Sequence, residues 1–202
     1  MSTFRPPAQA RWLMSDRMAA MPASRTGSGL HAIEARSLRI VGGLACHDFW
    51  VLRDADGRAL AELHGLATDR NTGRVVPIGT DARRHSLRVW HFLHESTLAD
   101  VFDVDPTSAP AHSFIRSRQP HRIVLKDAAQ AVLSRWAKAV MSVEALNALD
   151  LDYPTYGFRL FRPTINSNSA HRTLGALMDV EIPRLSRALR PGSRQSMPAP
   201  AR

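Results

Sequence analysis

The sequence predicts an α+β fold: an antiparallel sheet from the first half, packed by helices from the second half. Three observations point to it. Between residues 48 and 93, β-type runs alternate with turn residues at short intervals. Those runs follow one another through tight turns, which makes an antiparallel meander. From residue 127 onward the apolar residues recur at helical spacing.

Residues 1–29 read as a flexible tail. Pro6, Pro7, Pro22 and the Ser-Arg-Thr-Gly-Ser-Gly run at 24–29 supply little core. A short helix over 12–21 could dock Trp12, Met14, Met18 and Met21. The folded body is a single domain over 30–190. It opens with a short strand at 35–41. Residues 48–53 form the strongest strand, because Phe49, Trp50, Val51 and Leu52 run together, as in a strand buried on both faces. The Asp-Ala-Asp-Gly turn at 54–57 sends the chain back along 59–66, which carries Leu60, Glu62 and His64. A second turn at 69–73 leads through 75–79 to a strand at 86–93, with Leu87, Val89, Trp90 and Phe92.

A short strand at 122–125 precedes a long helix over 127–149. Ala131, Val132, Trp136, Val140 and Leu146 share its apolar face, and Asp127 is its expected N-cap. Trp50 and Trp136 are the expected core tryptophans. An aromatic strand at 156–163 closes on Pro163. A last helix over 168–178 follows, with Leu174, Leu177 and Met178 on one face, and then a basic amphipathic turn at 182–189. Residues 191–202, rich in Pro, Ser and Arg, read as a disordered end.

Composition limits the functional classes. The net charge of +9 comes from 27 Lys+Arg against 18 Asp+Glu, yet only Lys126 and Lys138 are lysines. Heavy Arg and Ala use is what a GC-rich coding sequence gives, so part of this charge is compositional. The remainder favours weak, non-specific binding of anions or nucleic acid. Arg83-Arg84, 116–118 and Arg184, Arg187, Arg190 and Arg194 are the densest places. They lack the interleaved aromatics of a base-stacking surface. The single Cys46 excludes an internal disulfide and a Cys-rich zinc site. No apolar run is long enough to span a membrane. Arg11, Asp16 and Arg17 interrupt any signal-like run, so the expected location is the cytoplasm, or outside by export without a cleavable signal.

The candidate site is Asn166-Ser167-Asn168-Ser169, a polar tetrad where a strand turns into a helix. Two readings stand side by side. In the first, these residues only cap the helix, because small oxygen-bearing side chains are favoured there. In the second, Ser167 or Ser169 is a nucleophile at a helix N-terminus whose N–H groups can hold an oxyanion. His47 and His64, on strands joined by the 54–57 turn, are then base and orienting group. Each histidine alone could equally be structural. His85, His91 and His94 invite a metal reading. Strand alternation puts His91 and His94 on opposite faces, so no metal and no cofactor are expected.

The segments Cys46-His47-Asp48-Phe49-Trp50-Val51-Leu52, His64 in Ala61-Glu62-Leu63-His64-Gly65, and Asn166-Ser167-Asn168-Ser169 together resemble the circularly permuted NlpC/P60 papain-like superfamily. In that superfamily the histidine strand comes first and the nucleophile helix last. The tetrad looks like its Asn-Cys-Asn-Thr type of motif, and also like the Asn-Ser-Asn-Thr signature of an uncharacterised bacterial family. The resemblance covers about residues 45–66 and 156–178. It implies a papain-like fold and an amidase, peptidase or acyltransferase acting on a peptide or another acyl- or amide-bearing substrate. It also implies Ser167 as nucleophile, His47 as base and His64 as orienting group, with Asn166, Asn168 and Ser169 around them. The family nucleophile is cysteine. Serine in its place implies either a site more dependent on its base or a degenerate one. The alternatives are a non-enzymatic binding protein on the same scaffold and a basic protein that binds nucleic acid or an anionic surface.

Overall fold

The computed structural model describes residues 29–95, 98–102, 113–159 and 163–199. The expected tail up to residue 28, with its helix at 12–21, lies outside them. The fold is α+β. Five strands, β1 (Leu30–Ile40), β2 (Ala45–Arg53), β3 (Ala59–Asp69), β4 (His85–Leu93) and β5 (His121–Ala128), form one sheet in the order β4-β3-β2-β1-β5. Every neighbouring pair is antiparallel. Among the described residues the α-helices are α1 (Ala99–Phe102), α2 (Ala129–Val140), α3 (Val143–Asn147) and α4 (Ser167–Leu177).

Register sorts the side chains onto two faces. The row Ala35–Trp50–Leu63–His91 crosses the sheet on the helix-covered side. There Trp50 and Trp136 are both fully buried in the core cluster, as expected. The neighbouring row Glu34–Val51–Glu62–Phe92 lies on the opposite face. Alternation puts His47, Phe49 and His64 on that face too. Phe114 covers it and meets His47, His64 and Phe92.

The meander of β1 to β4 follows the sequence pattern closely. Three elements depart from it. The helix expected over 127–149 starts later and breaks. Pairing of β5 with β1 runs on to Ala128, so Asp127 is held in the strand, where it accepts from the Ala128 N–H instead of capping. The break falls at Met141-Ser142, where the Ser142 hydroxyl bonds back to the Lys138 carbonyl. The aromatic strand expected at 156–163 is instead a tight turn over Thr155–Gly157, with Tyr156 at φ 55°; residues 160–162 lie outside the described chain. The stretch expected as an amphipathic turn at 182–189 is irregular and ends in a parallel bridge from Leu189 to Ala45.

The expected disordered end is ordered as far as it is described. Pro191 and Gly192 offer their carbonyls to Asn168 and Ser169. The Met197 N–H binds the Thr173 hydroxyl, and the Met197 side chain enters the core at 5% exposure. The physical reason is that α4 leaves polar groups and an apolar recess that the terminal backbone fills.

Candidate functional site

β2 and β3 part company at one end, and the candidate site forms there. Their pairing ends at Trp50↔Leu63, although β2 continues to Ala45 along β1 and β3 continues to Asp69 along β4. The freed edge of β2 must find other partners. Leu189 supplies two: its carbonyl accepts from the Cys46 N–H, and its N–H donates to Leu44 O. The Asn168 side chain supplies two more. Its Oδ1 accepts from the Asp48 N–H and its Nδ2 donates to Cys46 O, both at 3.0 Å. An amide side chain from α4 therefore stands where a strand would be.

The start of α4 is pinned tightly into this wedge. Asn166 is its N-cap and accepts from the backbone N–H groups of Asn168 and Ser169. The Ser169 hydroxyl accepts from the Asn166 N–H and completes a capping box. Gly65 lets the helix approach, since a Cβ there would lie 2.3 Å from that of Ala170. Three members of the tetrad are thus structural: Asn166 and Ser169 as caps, Asn168 as a brace. Ser167 remains, at the first helical position.

Ser167 lines a cavity of about 90 Å³ together with His47, Cys46, Tyr153 and Tyr156. Its hydroxyl and N–H engage the phenol of Tyr153, whose pKa is raised by burial against the opposing effect of these Ser167 contacts. No hydrogen bond joins Ser167 to His47 among the described residues. Cys46 is buried beside the histidine.

His47 and His64 do come together. His47 Nε2 lies 2.9 Å from His64 Nδ1, and His64 Nε2 lies 2.8 Å from Glu62 Oε2. Glu62 is fully buried. It also meets His94 Nε2 at 2.8 Å, the Ser113 hydroxyl at 2.7 Å and the Phe114 N–H at 3.0 Å. Burial alone would raise the Glu62 pKa, but the hydrogen bonds from His64, His94 and Ser113 outweigh it and pull it down. The carboxylate is therefore ionised and can only accept.

That fixes the tautomers along the chain of groups. Burial lowers the His64 pKa, against the pull of Glu62, so its ring is neutral near pH 7. Its proton sits on Nε2, facing the carboxylate, and Nδ1 must accept. Burial, then the charge of His64, holds His47 at about 3, with Glu62 opposing. His47 is also neutral, donates from Nε2, and keeps its lone pair on Nδ1. The arrangement is a base whose orientation and tautomer are set two residues deep.

The sequence singles out His47 and His64 for this site, but gives Glu62 no role and brings in His94 only as a candidate metal ligand. A glutamate alternating along a strand ordinarily faces water; only register reveals this one as buried. His91 and His94 do face opposite ways. His91 receives the Trp136 Nε1–H while His94 meets Glu62. Among the described residues no group of three His, Cys, Asp or Glu could hold a metal ion, and no helix is long and apolar enough to cross a membrane. Of the basic cluster near the end of the chain, Arg190 is committed to the buried Asp48. Comparison with protein-family models, curated proteins and solved structures finds no match.

Proposed function

We propose that this chain is a papain-like acyl-transfer protein of the permuted NlpC/P60 type, a hydrolase or acyltransferase with serine in the nucleophile position. The observation that carries the reading is the His47–His64–Glu62 relay beside a cavity that Ser167 also lines. In this reading Ser167 Oγ attacks the carbonyl carbon of an ester or amide while its proton passes to His47 Nδ1. His64, held by Glu62, keeps the ring oriented and spreads the imidazolium charge. The positive end of the α4 dipole, where Ser167 sits, favours the developing oxyanion. Collapse of the tetrahedral intermediate breaks the bond to the leaving group, which takes the proton from His47. Water or an acceptor hydroxyl then repeats the sequence in reverse and releases the acyl group.

The test replaces Ser167→Cys in a Cys46→Ala background and measures alkylation by iodoacetamide near neutral pH. A thiol paired with His47 alkylates fast, because the thiolate is the reactive species. The expected result is a rate at least about tenfold above that of the same protein carrying His47→Ala, the equivalent of one pKa unit. A slow rate indifferent to His47 overturns the catalytic reading.

A second reading rests on the contact of Ser167 with Tyr153. With its hydroxyl engaged by a phenol and not by His47, the same scaffold would serve as a binding module without chemistry. The alkylation experiment separates the two.

A further inference from the structure

Glu62 serves two histidines at once, and they lie in different environments. His64 is completely buried, whereas the His94 side chain is 20% exposed. Both present Nε2 to the same carboxylate, at 2.8 Å on opposite oxygens. The arrangement is a shared node, not a wire. With an N–H aimed at each oxygen, no proton can be relayed from one ring to the other through the carboxylate.

A shared node makes the two rings compete for one negative charge. While His94 is neutral, the charge of Glu62 is spent on the His64–His47 pair and supports a proton on His47. When His94 takes a proton from solvent, the carboxylate is neutralised from its exposed side and the added positive charge opposes a second one nearby. We propose that His94 is a positioning residue that sets the basicity of His47 through Glu62, so that solvent pH reaches the buried site by way of its exposed ring. This deepens the acyl-transfer reading, but its electrostatic core holds for the histidine pair whatever the pair does.

Among the described residues, the groups that meet Glu62 leave this competition intact. From its own strand Glu62 meets only His64. From the segment after residue 112 it meets the Ser113 hydroxyl and the Phe114 N–H, neither of them charged. On β1 and β2 the charges of Glu34, Arg36 and Arg53 pair with one another. Asp48 on β2 is paired with Arg190. His171 on α4 has its pKa pushed well down by burial, then by the charges of Arg190, His47 and His64. His94 is the member of the node that solvent protons reach directly. Phe114 also lines the cavity, so the same carboxylate holds one wall of the site.

The test has two arms. In the otherwise unaltered protein, the ring nitrogen resonances of His47 and His64 are followed from about pH 8 to about pH 5, across the usual histidine range. They should shift across that range, and the shift should vanish in His94→Gln, which keeps an N–H for Glu62. Resonances that stay still in the unaltered protein overturn the inference, with no variant needed. In the second arm, His94→Gln is added to the Ser167→Cys, Cys46→Ala protein. The acid side of its alkylation profile should move to lower pH, giving a rate about three- to tenfold higher at the acid end of the range, or half to one pKa unit. Coincident profiles with fast alkylation overturn the inference and leave the acyl-transfer reading standing. Slow alkylation at every pH removes the acyl-transfer reading, and the resonances alone then decide.

Discussion

At the scale of single residues, Glu62 is the most consequential group. Four donors converge on it from β3, from beyond β4 and from the 113–114 segment. Removing one partner of a buried charged cluster leaves the others unpaired, at a cost of about 3–5 kcal/mol. Glu62→Ala is therefore expected to lose that much in urea unfolding, while Glu62→Gln, which keeps one accepting oxygen, loses less. A loss below about 1 kcal/mol for the alanine variant would show that water replaces the carboxylate freely. The histidines could be singled out from sequence because they flank a recognisable hairpin. Glu62 could not, because its burial depends on Val51 and Phe92 lying directly beside it across the sheet.

At the scale of elements, the sheet was readable and its coverings were not. Strands β2, β3 and β4 announce themselves through apolar runs and turn residues. The break in the long helix is invisible in its periodicity, since Leu146 keeps the apolar phase across Ser142. The terminal segment misleads most. Its Pro, Ser and Arg content resembles a loose end, yet its carbonyls complete the cap of α4. Gly192 holds φ +77° with Asn166 so close that a Cβ would lie 2.3 Å from its Oδ1. Truncation after Arg190 removes these bonds and the buried Met197 side chain, worth about 1.5–3 kcal/mol on its own. The melting temperature should fall by at least about 5 °C for a chain of this size. An unchanged melting temperature would show that the segment adds nothing to stability.

At the scale of the whole molecule, the buried histidines set the response to acid. His47 and His91 are each held at about 3, burial being the leading cause in both, and burial also pushes His64 and His171 down. In the unfolded chain all four titrate near 6.5, the ordinary histidine value. Below that pH the unfolded state binds the protons and the folded state does not, so stability falls as the solution is acidified. The contribution of all four is complete above pH 6.5; that of His47 and His91 is withdrawn progressively as the pH drops from there toward 3, and His64 and His171 act in the same direction. Each group withdraws about 1.4 kcal/mol per pH unit within that window. Urea unfolding at about pH 7.5 and about pH 5.5 should differ by several kcal/mol, with His91→Phe reducing the difference. Equal stabilities at the two values would mean that the rings are protonated in the fold.

The amide of Asp48 gives this architecture an internal clock. Most β-sheet amides are sheltered by a neighbouring strand, and they exchange with solvent deuterium only when the sheet itself opens. This one is sheltered by a side chain that lies 120 residues away in sequence. Its exchange rate therefore records how often the last helix lifts away, while the adjacent β1–β2 ladder stays closed. Any ligand that settles between that helix and the sheet will slow this single amide before it slows its neighbours.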